Sequence, residues 1–226
     1  MGFIASVGVG LWALAGLIPP PAPSLPPAQI AEFYRHGTGA IRLGLQVSMV
    51  GTALLVPFTI VIFLQMRRME GSDAPWAYLQ LCGGIGGMFL FITPYMILQA
   101  AIYRVDEISP ETLRTLNDIV WIMFVSPFSL FFLQLLGIGM CTLQQRTGTP
   151  VFRRWVGYFN LWCALIFCAG FAVPFFKTGP LAWNGVFVWW VPLTVLCVWT
   201  LLMAWVVLRA VDQQSRATAP TTVGAL

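Results

Sequence analysis

The chain has 226 residues, of which 58% are hydrophobic and only 9% are charged, and its formal net charge is +4. Soluble globular domains carry about 25% charged residues, so this composition excludes an ordinary soluble domain. The positive charge does not indicate a nucleic-acid partner, because the basic residues form neither a basic run nor a basic face.

Long uncharged stretches divide the chain into six apolar segments. A helix needs roughly 20 apolar residues to cross the hydrocarbon core of a bilayer. The predicted spans are 2–18, 43–66, 76–103, 118–143, 155–176 and 184–208. The sequence therefore predicts an all-α membrane bundle, a single transmembrane domain of about six helices over residues 1–226.

The first segment, 2–18, is the shortest, and a proline-rich stretch follows it. It has no basic residue at its start, and prolines crowd the place where a signal peptide would be cleaved, so we expect it to stay as a helix. Prolines cannot continue a helix, and we expect those from Pro19 onward to end this segment and to run extended. Residues 19–41 are predicted to form an outer lid, with a short helix that begins at Pro26 or Pro27.

The sole histidine of the chain, His36, lies at the end of the predicted lid helix, one turn after Glu32. A histidine beside a carboxylate is a candidate general base. One histidine does not suffice for a multi-histidine metal centre, and we expect a surface polar residue. The sequence predicts no catalytic residue, metal site or cofactor.

No carboxylate lies in the interior of a predicted span, which argues against a proton relay across the membrane. The polar residues inside the spans are neutral amides and hydroxyls, which usually form hydrogen bonds between helices. The same groups can orient a lipophilic ligand. The candidate ligand-binding residues are Gln46, Gln99, Gln134, Asn160 and Asn184.

The third segment contains the sequence CGGIGG, in which Gly83 and Gly87 are four residues apart. Small residues at this spacing allow two membrane helices to approach closely. We expect this glycine face to pack against another helix, either of the same chain or of a partner.

Five predicted spans contain one proline each: Pro57, Pro94, Pro127, Pro174 and Pro192. Membrane helices tolerate such prolines when neighbouring groups satisfy the freed carbonyls. Kinked helices can splay apart, so an internal cavity is one consequence to look for.

The loop after the third segment predicts an early start of the next helix. Ser109 is a good N-cap, and Pro110 suits the first helical position. We therefore expect this helix to begin near Ser109, outside the membrane.

Basic residues are unequally distributed between the two sides of the predicted bundle. Seven arginines fall on one side: Arg67, Arg68, Arg146, Arg153, Arg154, Arg209 and Arg216. Five basic residues fall on the other: Arg35, Arg42, Arg104, Arg114 and Lys177. Loops rich in Lys and Arg tend to stay cytoplasmic. This bias predicts a multi-pass protein of the cell (inner) membrane with both termini in the cytoplasm.

Two functions from different classes are consistent with this sequence. The first is binding or transport of a lipophilic small molecule or lipid in a kinked, aromatic-rich interior, with membrane lipids as surroundings. The second is a non-catalytic subunit that uses the glycine face to form a homo-oligomer or to join partner membrane subunits. An enzyme that uses His36 at the outer interface ranks third.

Overall fold

The structure is a computed structural model that describes residues 1–145 and 150–218. Within those residues the chain is helical and has no strand, so the predicted all-α bundle is confirmed. The α-helices are α1 (Gly2–Val7), α2 (Pro27–His36), α3 (Thr38–Ala53), α4 (Leu55–Glu70), α5 (Pro75–Tyr103), α6 (Pro110–Val125), α7 (Ser129–Gln144), α8 (Arg154–Phe167) and α9 (Val191–Thr218). Two π-helical segments, Gly8–Leu14 and Val186–Trp190, and a 3₁₀ segment, Cys168–Phe175, adjoin α1, α9 and α8.

Five helical stretches in this part of the chain are long and apolar enough to cross a membrane. They are Thr38–Glu70, Pro75–Tyr103, Pro110–Gln144, Arg154–Phe175 and Val186–Arg216. The chain therefore has the character of a membrane protein. The predicted early start of the fourth segment is confirmed, since Ser109 accepts a hydrogen bond from the backbone N–H of Thr112 at 3.2 Å.

The spans alternate in direction, which creates two distinct ends of the bundle. At one end, Trp76 Nε1 donates to Gln144 Oε1 at 2.9 Å. We call this the arginine end, since it carries Arg67, Arg68, Arg153, Arg154 and Arg209; Arg146 lies outside the described residues. At the opposite, lid end, Trp183 Nε1 donates to the carbonyl of Pro21 at 2.9 Å.

Prolines explain where the long helices lose their regular geometry. Pro57 has no N–H to offer the carbonyl of Ala53, and the helix breaks between α3 and α4 at Leu54. Pro127 lies in the break between α6 and α7. Pro174 lies within the 3₁₀ segment, and Pro192 directly follows the π-helical turn Val186–Trp190.

The first helical stretch, Gly2–Leu14, is shorter than the predicted span 2–18. Its six α-helical and seven π-helical residues extend roughly 20 Å, less than the ~30 Å hydrocarbon core. The cause is Gly16, which adopts φ 61°, while Leu17 N–H donates to the carbonyl of Leu11 at 2.7 Å. This glycine turn ends the helix before the prolines are reached, so the prediction that the prolines end it is corrected.

Small residues hold this first helix against α3. A methyl group added at Gly10 would overlap the backbone carbonyl of Gly44, and one added at Gly51 would overlap the side chain of Ser6. Gly2 lies beside Leu54, at the break between α3 and α4. The first helix therefore pairs with the half of the span nearest the lid end.

The lid helix α2 covers the lid end of the bundle and packs on α6. Its inward residues Ile30 and Tyr34 are fully buried, as the spacing of Ile30, Phe33 and Tyr34 indicates. Arg35 fastens the lid helix by donating to the carbonyl of Val105 at 3.2 Å.

Candidate functional site

A large apolar cavity of about 490 Å³ lies between the first helix and the start of α9. Its volume falls within the ~300–1,000 Å³ that small-molecule pockets occupy. The lining residues come from five parts of the chain: Phe3, Ile4, Val7, Gly8, Leu11, Trp12, Ile18, Pro19, Phe91, Phe124, Val125, Phe167, Gly170, Val188, Trp189, Trp190, Pro192, Leu193, Leu196 and Cys197.

Irregular backbone forms three of the walls. The π-helical segment Gly8–Leu14 lies on one side, and the π-helical turn Val186–Trp190 lies opposite. Gly170 of the 3₁₀ segment contributes to the wall next to α8. π-Helical turns widen the helix and are often found at functional sites, so the prolines that disturb these helices also help to open the cavity.

Aromatic rings form the inner wall of the cavity. Phe91 of α5 meets Phe3 and Phe124 edge to face, with ring centroids 5.9 and 5.2 Å apart. Trp189 lies 6.0 Å from Phe124 and 5.4 Å from Trp121. Edge-to-face contacts of this kind fix the orientation of the rings, so this wall is preformed.

The cavity opens sideways between the first helix and α9. Two of its lining residues, Trp12 and Trp190, are 68% and 42% exposed on the outside of the bundle. Neither helix carries a charged side chain along this opening. A molecule would therefore enter from the apolar phase of the membrane rather than from water.

The indole nitrogen of Trp189 is a buried donor without a partner in the described residues. Trp189 is only 5% exposed, and an unpaired buried N–H is unfavourable by about 1–3 kcal/mol. The other buried tryptophans differ: Trp121 donates to Asn117 at 3.0 Å, and Trp199 donates to Asn160 at 2.8 Å. Trp189 is thus the polar feature of the cavity wall.

None of the five polar residues singled out in the sequence lines this cavity. Gln46 is exposed on the bundle surface, and Asn184 lies half-buried in the turn before the last span. Gln99 donates to the carbonyl of Arg42 at 2.9 Å, and Asn160 accepts from Trp199.

Gln134, the remaining member of this group, lies at a very small internal space. That space holds about 10 Å³ and is also lined by Thr59 and Gly84. It accommodates about one water molecule, so it is too small for a ligand.

The sequence analysis missed the cavity because its wall consists of Phe, Trp, Val and Leu. These residue types are indistinguishable in sequence from those that fill a core. The signals that were present are the prolines in the spans and Gly8, which leaves open space where a side chain would stand.

The glycine face of α5 is occupied within the chain. A methyl group added at Gly83 would lie 2.7 Å from the backbone nitrogen of Gln134 and 2.8 Å from the carbonyl oxygen of Leu130. One added at Gly87 would meet the ring of Phe131 at 3.2 Å. Both glycines therefore face α7 and are not available to a partner chain.

His36 lies in an open surface groove beside the lid, with Glu32 and Gln29 along the same groove. All three side chains are exposed, so the groove is in contact with water and does not enclose a substrate. Among the described residues, no group of three or more His, Cys, Asp or Glu side chains is arranged to hold a metal ion.

Comparisons with known proteins found no match for the chain: no family model fits it, and no curated protein or solved structure is similar to it.

Proposed function

We propose that this protein binds a lipophilic small molecule or lipid in the cavity between its first helix and α9, and that it stores or transfers that molecule within the membrane. The observation that carries the proposal is the cavity itself: about 490 Å³, aromatic on its inner side and open toward the apolar phase. Each buried CH₂ group of a ligand contributes about 0.8 kcal/mol, so a long alkyl chain would be retained.

The second function considered above, a non-catalytic subunit, depended on a free glycine face. Since Gly83 and Gly87 contact α7 of the same chain, that argument for a partner subunit is removed, and ligand binding is the function we propose.

The substitution Gly8→Leu tests the proposal by filling the cavity. Gly8 lines the cavity, and a side chain added there meets no atom within 4 Å. Leucine is also a better helix former than glycine by about 1 kcal/mol, so the variant should fold. We expect wild-type protein purified in mild detergent to retain a lipophilic molecule and Gly8→Leu to lose most of it, as measured by native mass spectrometry and by extraction.

Gly39→Leu is the matched control. Gly39 is exposed on α3, far from the cavity, and an added side chain there also meets nothing within 4 Å. It should retain as much ligand as the wild type. Equal retention by Gly8→Leu and the wild type would overturn the proposal.

We also propose that the arginine end faces the cytoplasm of a cell whose inner membrane holds the protein. The support is the clustering of Arg67, Arg68, Arg153, Arg154 and Arg209 at one end of the bundle, which follows the usual charge bias of cytoplasmic loops.

A further inference from the structure

We propose that the molecule bound in this cavity is an uncharged lipophile with a carbonyl or ester oxygen, which accepts a hydrogen bond from Trp189. The inference rests on the proposed function and goes beyond it by naming the ligand class.

The absence of charge in the lining excludes charged ligands. No Asp, Glu, Lys, Arg or His lies among the residues that line the cavity in the described part of the chain. An ionised carboxylate or amine in an apolar environment is costly unless an opposite charge compensates it. A fatty acid anion or an amphiphilic amine would find no such partner here.

The unpaired indole N–H of Trp189 calls for an acceptor. The tryptophan side chain lines the cavity, and its Nε1 has no acceptor in the described residues. A molecule in the cavity is the group placed to supply one. A pure hydrocarbon has no acceptor and would leave the N–H unpaired, whereas a carbonyl or ester oxygen would satisfy it without bringing a charge.

The fold also gives the ligand a direction. Trp189 contacts Trp121, whose N–H is bonded to Asn117 beneath the lid helix, so the donor lies toward the lid end. At the other end of the cavity are Phe3 and Leu196, which pack with Leu55 at the break between α3 and α4. The carbonyl is therefore expected near the lid and the alkyl chain toward mid-depth.

The test is a competition between three probes of the same chain length. Purified full-length protein in detergent is incubated with equimolar hexadecane, methyl palmitate and palmitate at about pH 9, where a carboxylic acid is ionised. The protein is re-purified, and the retained amounts are measured by extraction and mass spectrometry, with the amount retained by Gly8→Leu subtracted. We expect methyl palmitate to be retained roughly three- to tenfold over hexadecane, and palmitate least.

Trp189→Phe keeps an aromatic ring at the site but removes the N–H. We expect the preference for methyl palmitate over hexadecane to fall to about equality, while the retention of hexadecane stays the same. The control is Trp190→Phe, which changes a neighbouring indole of the same cavity that is largely exposed and should keep the preference.

The outcomes separate the two proposals. If the wild type retains none of the probes above the Gly8→Leu background, ligand binding itself is refuted. Equal retention of hexadecane and methyl palmitate by the wild type, strongest retention of palmitate, or an unchanged preference in Trp189→Phe would each overturn the ligand class and leave binding standing.

Discussion

Tyr34 is a phenol buried outside the membrane spans, between the lid helix and α6. Its hydroxyl donates to Asn117 Oδ1 at 2.7 Å, and the same oxygen accepts from Trp121. Burial raises the pKa of Tyr34 above its ordinary value of about 10, and the negative charge of Asp118 adds to this shift. The neutral phenol is therefore the form that holds the lid in place.

The raised pKa predicts a loss of stability at high pH. Above about pH 10 the unfolded chain releases the phenolic proton while the folded chain keeps it, so ionisation favours unfolding by up to about 1.4 kcal/mol per pH unit. Below pH 10 both states are neutral, and this contribution is fully present. We expect the difference in melting temperature between wild type and Tyr34→Phe to be largest near neutral pH and to shrink above pH 10.

The control for this prediction is Tyr103→Phe, since Tyr103 is exposed. Its melting curve should follow the wild type over the same pH range. A constant difference between wild type and Tyr34→Phe up to about pH 11 would show that the phenol does not keep its proton in the folded state.

At the residue scale, the sequence indicated which side chains need partners but not which partners they have. Asn160 was identified as a polar group inside a span, and the structure pairs it with Trp199, 39 positions away. Such pairings depend on the rotation of each helix about its axis, and one sequence does not contain that information.

At the scale of elements, the closest contact of the two glycines studied is between α5 and α7. The backbone of α7 lies against Gly83, while Gly87 meets only the side chain of Phe131. Backbone atoms are held by the helix and yield little, whereas a phenyl ring can turn slightly.

This difference predicts unequal effects of two alanine substitutions. Gly83→Ala should destabilise the fold by about 1–3 kcal/mol, since it overpacks the helix interface. Gly87→Ala should change stability by less than about 1 kcal/mol, because the better helix propensity of alanine offsets a small movement of Phe131. Thermal unfolding in detergent measures both, and equal losses would mean that α5 does not lie as close to α7 at Gly83 as the structure has it.

The boundaries of the elements were predicted well where caps are specific. Ser109 and Pro110 start α6, and Pro27 starts α2, as expected from their local chemistry. The end of the first helix was predicted less well, because the conspicuous prolines drew attention away from Gly16. A glycine in the left-handed conformation is a common helix end, and its effect precedes that of any later proline.

At the scale of the whole molecule, composition and uncharged length predicted the class of fold. The sequence did not indicate that the first segment forms a helix of roughly half the membrane depth. It also gave no sign of the cavity beside this helix, because an empty volume results from the packing of several elements and no single segment encodes it.

The proposed orientation predicts which loops a membrane-impermeant thiol reagent reaches. Ser72 is exposed at the arginine end, and Thr178 is exposed in the hairpin before the last span, at the lid end. In intact cells, Thr178→Cys should be labelled and Ser72→Cys should not; both should be labelled after the cells are opened. The unsubstituted protein, with its five free cysteines, provides the background, and labelling of Ser72→Cys in intact cells would reverse the orientation.

The reach of the first helix has a consequence for lipid exchange. Gly2 stops beside Leu54, and the cavity wall runs from this depth to the lid strip at Ile18 and Pro19. The sideways opening therefore faces a single leaflet of the bilayer. The protein would draw its cargo from that leaflet alone, and a lipid in the opposite leaflet would have to flip before it gained access.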